Sequence, residues 1–419
     1  MKRLLLLLLP LVLTGCVSTA NRNNILNLLS SPRLSERESR IMASLSEYSG
    51  QEIKLKYPKK GENISPVQIV DLDGDGTDEA VVLYNNPADG TTACMALLDR
   101  TGDKWVVTET FDGWGSEVYR VDFRQLKKTE GSQIIVGYTF ADDSEIILSV
   151  YFLESGRVDN VYTQTCQEYV THDVTGDKID DIVLAGINAP GQATQLKVFS
   201  AHNRESFDIL ASRPIEARNV DVTNISFSSS DYSPSEVILL DYEDRYHRVY
   251  TEAVYYSDYE LIQVLHPDVV QKIWYFEYGL NSRDVNGDGW VETPTIIDDG
   301  KPFGHSLKHM EWTCFLRENP QRMYYGVCHA ENGVFFPLPD EWMGNISLDA
   351  DEDGRKWRVI RTADDDVLVT FRLVSPSEKE KSEGTVTVSK GTVQVKITFH
   401  RDVSLLQREY ISSGLIYMK

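Results

Sequence analysis

The segment DLDGDGTDE at 71–79 places side-chain oxygens at alternate positions, from Asp71, Asp73, Asp75 and Glu79, with the Thr77 carbonyl between the last two. Gly74 and Gly76 let the backbone curl, because glycine tolerates positive φ. Carboxylates alternating around a curl make an oxygen cage for a hard divalent cation, like the first half of an EF-hand loop without its helices. Calcium suits such a cage better than magnesium, since it accepts many protein oxygens in flexible geometry. The segment DVNGDGWVE at 284–292 repeats the pattern with Asp284, Asn286, Asp288, the Trp290 carbonyl and Glu292, and with Gly287 and Gly289 for the curl. A third copy, DVTGDKIDD at 173–181, offers Asp173, Thr175, Asp177 and Asp181, but Lys178 replaces a curling glycine and brings a positive charge to the site. The competing use of the same residues is an ion-free Asx turn, in which the carboxylates accept backbone N–H bonds. Where an ion is held, its expected role is structural: it cancels repulsion among crowded carboxylates and fixes a corner between strands.

Other constellations point to no defined chemistry. There is no Gly-x-Ser-x-Gly elbow and no phosphate-cradling loop. His305, His309, Glu311 and the Cys328-His329 pair lack the His-Glu-x-x-His order of a zinc protease. Acidic pairs such as Asp142-Asp143 and Asp298-Asp299 are expected by chance in a chain with 64 acidic residues, and read as solvated turns. No catalytic residue is assigned. Aromatic clusters, among them Trp105, Trp114 and Tyr119, read mostly as core, with one or two exposed rings available to stack on a sugar or anchor a partner. Cys314 and Cys328 flank a hairpin pattern and are a candidate disulfide pair; Cys94 and Cys166 read as core thiols.

The elements that carry these loops are short strands. Val, Ile and Tyr (21 tyrosines) cluster in brief runs separated by polar turns. Degenerate copies of the carboxylate segment are read at Asp122 and Asp221, giving anchors at 71, 122, 173, 221 and 284 with steps of 51, 51, 48 and 63 residues. After each of the first four anchor segments comes a strand, a polar turn and another strand, at 96–107, 150–162, 196–210 and 254–265. Units of three or four short strands that cannot bury both faces alone point to radial stacking in a mainly β fold, a β-propeller.

Asp-x-Asp-Gly-Asp-Gly ahead of a Val-rich strand, recurring at this period, resembles the FG-GAP/VCBS-type repeats of integrin-like propellers over about residues 51–297. The resemblance implies five visible blades, with a sixth or seventh to be sought in the C-terminal third and the strand at 52–57 helping to close the ring. Residues 51–300 are assigned to this propeller and residues 301–419 to a C-terminal, mostly β or α+β domain, with strands at 345–348, 357–361, 367–373, 385–389 and 392–399 and a short helix at 405–412. Ahead of the propeller, Ser35 and Glu38 have capping-box spacing and Gly50 is a stop, so the segment 35–50 is an amphipathic helix docked on the domain behind it.

The first 15 residues read as a signal peptide: Lys2 and Arg3, then an apolar run at 4–13 too short to span a bilayer. Leu13-Thr14-Gly15-Cys16 resembles the lipobox of bacterial lipoproteins, which implies cleavage before Cys16, a diacylglyceryl group on its thiol and a tether over 16–34. Two acyl chains give stable anchoring. The expected location is therefore the extracytoplasmic face of the cell membrane. A net charge of −22 repels phosphate backbones and excludes nucleic acid as a partner. The expected function is a calcium-stabilised binding or scaffold module for a protein or glycan; the alternative is a polysaccharide lyase or hydrolase built on the same platform.

Overall fold

The computed structural model describes residues 34–418 apart from 142–144, 155, 187–192, 201–207, 216–219, 229–235, 246–247, 265–273, 276–279, 298–306, 317–318, 330, 353, 375–384 and 391–392. The signal peptide, Cys16 and the tether up to 33 lie outside the described residues, as does His305.

Helix α1 (Glu36–Ser49) starts on the expected capping box: Glu38 N donates to Ser35 Oγ (3.2 Å) and Ser35 N to Glu38 Oε2 (2.6 Å). It stops at Gly50, whose φ of 66° needs no Cβ penalty. Ile41 and Leu45 are buried against Val82, Ala96, Leu98 and Trp105 of the first sheet. Arg37 adds an ion pair to Asp78 (2.7 Å) and lies 5.3 Å from the Trp105 ring centroid.

Six antiparallel sheets of four or five strands follow, an arrangement consistent with propeller blades. The first is the meander β1 (Val67–Val70), β2 (Glu79–Asn85), β3 (Ala93–Thr101), β4 (Lys104–Asp112). The second is β5 (Glu117–Arg124), β6 (Gln133–Thr139), β7 (Ile146–Glu154), β8 (Arg157–Cys166). The third is β9 (Glu168–His172), β10 (Asp181–Gly186), β11 (Gln195–Ser200), β12 (Asp208–Pro214). The fourth is β13 (Val220–Ser228), β14 (Val237–Asp244), β15 (Arg248–Ser257), β16 (Glu260–Gln263), with the short β17 (Trp274–Tyr275) beside β15. The second strand of each meander is buried almost throughout, as in the apolar runs of β6 and β10. Outer strands such as β8 are exposed or half-buried over most of their length. That is the pattern of a sheet covered on both faces near its inner strands and wet at its rim.

Successive sheets pack face to face in chain order. Val81, Leu83 and Met95 of the first meet Val121, Val136 and Tyr138 of the second. Ile135 and Leu148 of the second meet Ile182 and Phe199 of the third. Val183 and Val198 of the third meet Ile225 and Ile238 of the fourth. Leu239 of the fourth meets Phe315 of the fifth.

The fifth sheet crosses the boundary assigned at residue 300. It runs β18 (Glu292–Ile296), β19 (Leu307–Leu316), β20 (Asn319–His329), β21 (Val334–Pro337), and is completed by the C-terminal β27 (Ile416–Tyr417). All five residues of β18 pair with β19, so the two flanks of residue 300 belong to one sheet. The sixth sheet, order β22-β23-β24-β26-β25, is built from β22 (Ile346–Ala350), β23 (Lys356–Arg361), β24 (Val367–Val374), β25 (Thr385–Lys390) and β26 (Val393–Phe399). Its inner face, with Trp357, Val359, Phe371 and Ile397, packs on Tyr325, Val327 and Phe336 of the fifth sheet and on Ile411 of α2 (Leu405–Ser413).

Three further expectations change. The segment at 52–57 adds a bridge from Leu55 to Tyr84, extending the first sheet; the free face of that sheet is covered by α1. Cys314 and Cys328 are both buried and free. The β19–β20 register sets Cys314 opposite Gln321 and Cys328 opposite Lys308, which separates the thiols by six residues along the hairpin, about 20 Å, far beyond disulfide reach. Asp122 is not a loop anchor: it lies within β5 opposite Ile135 and forms a buried ion pair with Arg120 (2.8 Å).

Candidate metal centre

In the first loop, between β1 and β2, the curl is fixed by the side chains themselves. Gly74 N and Gly76 N donate to the two oxygens of Asp71 (2.8 and 3.0 Å), Asp75 N donates to Asp73 Oδ1 (3.1 Å) and Thr77 N to Asp75 Oδ1 (2.7 Å). Gly74 and Gly76 have φ of 79° and 85°, as the curl demands. Glu79, the first residue of β2, reaches back to accept from Leu72 N (2.7 Å). Oxygens of Asp71, Asp73 and Glu79 thereby come within 4.8 Å of one another, and among the described residues this is the one group of three or more His, Cys, Asp or Glu side chains so close. Asp75 stays exposed and turned to Thr77.

The electrostatics of this group are unfavourable without a cation. Glu79 is 4% exposed, and burial, reinforced by the charges of Asp73, Asp99 and Asp71, raises its pKa to about 7. Three carboxylates crowded at one corner between strands form a hard, anionic oxygen set of the kind that suits calcium.

The loop at 284–292 has the same backbone frame. Gly287 N and Gly289 N donate to the two oxygens of Asp284 (2.6 and 2.9 Å), Asp288 N to Asn286 Oδ1 (2.8 Å), Trp290 N to Asp288 Oδ1 (2.8 Å) and Val285 N to Glu292 Oε2 (3.1 Å). Glu292 is fully buried, and burial followed by the charges of Asp288 and Asp284 raises its pKa to about 7. Among the positions that offer side-chain oxygens to the cage, one substitution separates it from the first loop. Where Asp73 has a second carboxylate oxygen, Asn286 has Nδ2, which donates to Asp288 Oδ2 (2.8 Å) and to the Tyr324 hydroxyl (3.2 Å) and lies 3.5 Å from Glu292 Oε1. An amide N–H inside the cage relieves the same repulsion that a cation would relieve.

The loop at 173–181 keeps the frame with a different residue at the curl. Gly176 N and Asp177 N donate to Asp173 Oδ1 (2.7 and 3.1 Å) and Lys178 N to Asp173 Oδ2 (2.7 Å). Lys178 takes φ of 69°, the left-handed conformation that glycine holds at the same place in the other two loops. Asp181 is fully buried and accepts from Val174 N and Thr175 N (3.1 Å each), while Thr175 Oγ1 lies 3.5 Å from Asp173 Oδ1.

A feature of the frame was missed in the sequence. In all three loops the second residue's N–H bonds the side chain seven residues on: Leu72 to Glu79, Val174 to Asp181, Val285 to Glu292. The second sheet has the same clamp, Leu126 N to Gln133 Oε1 (2.6 Å). The degenerate copy is therefore QLKKTEGSQ at 125–133, of equal length, in which Gln125, Lys127, Thr129 and Gln133 stand where Asp71, Asp73, Asp75 and Glu79 stand in the first loop. An apolar residue followed seven positions later by Glu, Asp or Gln at a strand start is the signal that would have found it. This loop abuts the first: Ser132 N donates to Leu72 O (3.0 Å), and a Cβ on Gly131 would lie 2.3 Å from the same carbonyl. The corresponding segment of the fourth sheet, 229–235, lies outside the described residues.

Buried Asp241 also escaped notice. It accepts from Thr251 Oγ1 (2.6 Å), Ser282 N (2.7 Å), Ser282 Oγ (2.8 Å) and Asn224 Nδ2 (3.0 Å), tying β13–β15 to the approach of the fifth sheet. His309 and His329, set aside above, face the sixth sheet: His309 Nε2 meets the Tyr325 hydroxyl (3.1 Å), and His329 Nε2 meets Gly354 O (3.2 Å).

Neither a known protein family nor a curated protein matches this sequence. Among solved structures, a Bacteroides uniformis protein assigned as a 6-phosphogluconolactonase is 14% identical with a TM-score of 0.33, over 75% of this chain and 93% of that one. A Lactobacillus plantarum protein is 10% identical with a TM-score of 0.30, over 78% and 93%. A Bacteroides fragilis protein also assigned as a 6-phosphogluconolactonase is 11% identical with a TM-score of 0.26, over 76% and 90%. At these values no chemistry transfers. Among the described residues no helix is long and apolar enough to cross a membrane.

Proposed function

We propose that this chain is a lipid-anchored, extracytoplasmic binding or scaffold module, a propeller of the FG-GAP/VCBS type stabilised by calcium at 71–79 and engaging a protein or glycan partner. The observation that carries the calcium reading is the convergence of Asp71, Asp73 and Glu79 oxygens within 4.8 Å at a corner between strands. The ion's role there is structural: Asp71, Asp73 and Glu79 would hold it, and it would supply the positive charge that the buried Glu79 lacks. The anchoring reading rests on the Leu13–Cys16 sequence, and membrane fractionation after labelling with palmitate tests it, with Cys16→Ser expected to lose both label and membrane association.

Titration of calcium into the chelator-treated full chain tests the centre. The expected result is a rise in melting temperature of several degrees, saturable at about one ion, and its loss in the Asp71→Asn/Asp73→Asn double variant. A melting temperature indifferent to calcium overturns the reading.

A further inference from the structure

The carboxylate loops at 71–79 and 173–181 lie where the first strand of a meander turns into the second. At the opposite end of the first two sheets, Trp114 and Phe140 are 53% and 51% exposed. Both leave the open end of the β5–β6 pair, whose last register partners are Glu117 and Thr139. Their backbone is held tightly. Gly113 N donates to Ala93 O (2.8 Å) and Ala93 N to Gly115 O (2.9 Å). A Cβ on Gly113 would lie 2.2 Å from Ala93 O and 2.4 Å from the buried Tyr138 ring, and one on Gly115 would lie 2.4 Å from Thr139 O. The two glycines are thus required by close approach, and they wedge the chain so that the intervening indole points outward from a rigid base. Gly115 rests on Thr139, the residue before Phe140, so the two rings rise from adjoining positions.

We propose that Trp114 and Phe140 form a stacking platform for a neutral saccharide, which rests on the reading of the chain as a binding module and assigns that module its ligand class and its working end. Size favours a sugar over a protein. Aromatic side chains bury 150–250 Å² each, so two half-exposed rings offer roughly 200 Å², against about 800 Å² per partner in a stable protein interface. Charge favours a neutral ligand. The nearby Lys56 and Lys59 both face Glu117 (2.6 and 3.9 Å), and the chain carries −22, so an anionic sugar finds repulsion rather than a counter-charge. A hydroxyl partner lies two residues from Trp114 in the chain: Asp112 is exposed, with Asn86 Nδ2 (3.1 Å) and Cys94 Sγ (3.3 Å) both on its Oδ1. The apolar face of a pyranose would lie on the indole and its hydroxyls would meet Asp112.

Titration of the full chain with cellohexaose, chitohexaose, an oligogalacturonate and an Arg-rich peptide, read by calorimetry, tests this. Expected are saturable binding of at least one neutral hexasaccharide, weakening of tenfold or more in Trp114→Ala, partial retention in Trp114→Phe, and an unchanged melting temperature in both. Failure of both neutral sugars to bind overturns the proposal, as does binding indifferent to Trp114→Ala. Peptide binding that requires Trp114, without a sugar response, also overturns it and assigns the rings to a protein partner. A calcium-dependent melting shift that survives in Trp114→Ala separates this outcome from failure of the calcium centre.

Discussion

At the scale of single residues, Glu79 has the clearest consequence. Its carboxyl group is raised from 4.5 to about 7 in the folded chain, so folding holds a proton that the unfolded chain gives up. The stability this provides is complete below about pH 4.5 and is lost as pH rises through 7, with an upper bound of about 3.5 kcal/mol. A cation at Asp71, Asp73 and Glu79 displaces the proton and reverses the trend. Thermal melts at pH 5 and pH 7.5 should therefore show a larger calcium-induced rise at pH 7.5, and Glu79→Gln should flatten the pH dependence of metal-free stability over that window, leaving the contributions of groups raised in the same direction, Glu292 and His172 among them. Equal calcium shifts at the two pH values would count against the centre. The oxygen-rich positions were legible in the sequence because ligand spacing is local. The difference between the loops at 71–79 and 284–292 was not, because it depends on which atom of Asn286 turns inward, and that is set by the Asp288 N–H it bonds.

At the scale of elements, capping signals and hairpin turns were readable because they too are local: α1, α2 and the strands of the sixth sheet all fall within a few residues of their expected limits. The second-sheet loop was not, because its frame survives without acids at the ligand positions; what persists is a backbone clamp across seven residues, Leu126 N to Gln133 Oε1, whose sequence trace is a spacing rather than a run of carboxylates. Nor did helical periodicity say what α1 covers. It shields the free face of the first sheet, so its apolar residues behave as core. Leu45→Ala should cost about 2–4 kcal/mol by cavity formation, and Ser35→Ala about 1 kcal/mol through loss of the cap, measured by denaturant unfolding. A Leu45→Ala loss no greater than the Ser35→Ala loss would show that α1 is not an integral cover. Gly131→Ala should destabilise as well, by about 1–3 kcal/mol, since it drives a Cβ into Leu72 O beneath the first loop and strains a φ of 97°; its calcium affinity should fall with its stability, which isothermal titration of the variant would detect.

At the scale of the whole molecule, the six sheets are coupled in series, each burying one face on the next, so no boundary near residue 300 divides the chain into independent units. The nine-residue carboxylate frame is last seen at 284–292 while the stacking continues, and for that reason the last third read as a separate domain: the β22–β23 connection, DADEDG at 349–354, is acidic but shorter and has no acid at the start of β23. The fifth sheet also collects both ends of the C-terminal region. Arg283 bridges to Glu292 before β18 and donates through Nη1 to Met418 O, β27 pairs Ile416 with Phe335 and Tyr417 with Val334, and Met418 N donates to Gly333 O (2.7 Å). Ile416 and Met418 are buried with Met310, Trp312 and Phe335. Truncation after residue 300 removes β19–β21 and β27, strips β18 of every partner in β19 and exposes the face of the fourth sheet that Phe315 covers. The fragment is expected to aggregate or to lose protection from hydrogen exchange throughout β13–β18, whereas two independent domains would leave residues 35–300 melting cooperatively and protected. The milder deletion of residues 415–419 should keep the fold but lower stability by about 2–4 kcal/mol, the loss of two or three large buried side chains offset by local collapse. Exchange loss concentrated in β20 and β21, with β1–β12 unchanged, would identify β27 as the clasp of the fifth sheet; uniform loss across all six sheets would instead make the C-terminal strand a closure of the entire stack.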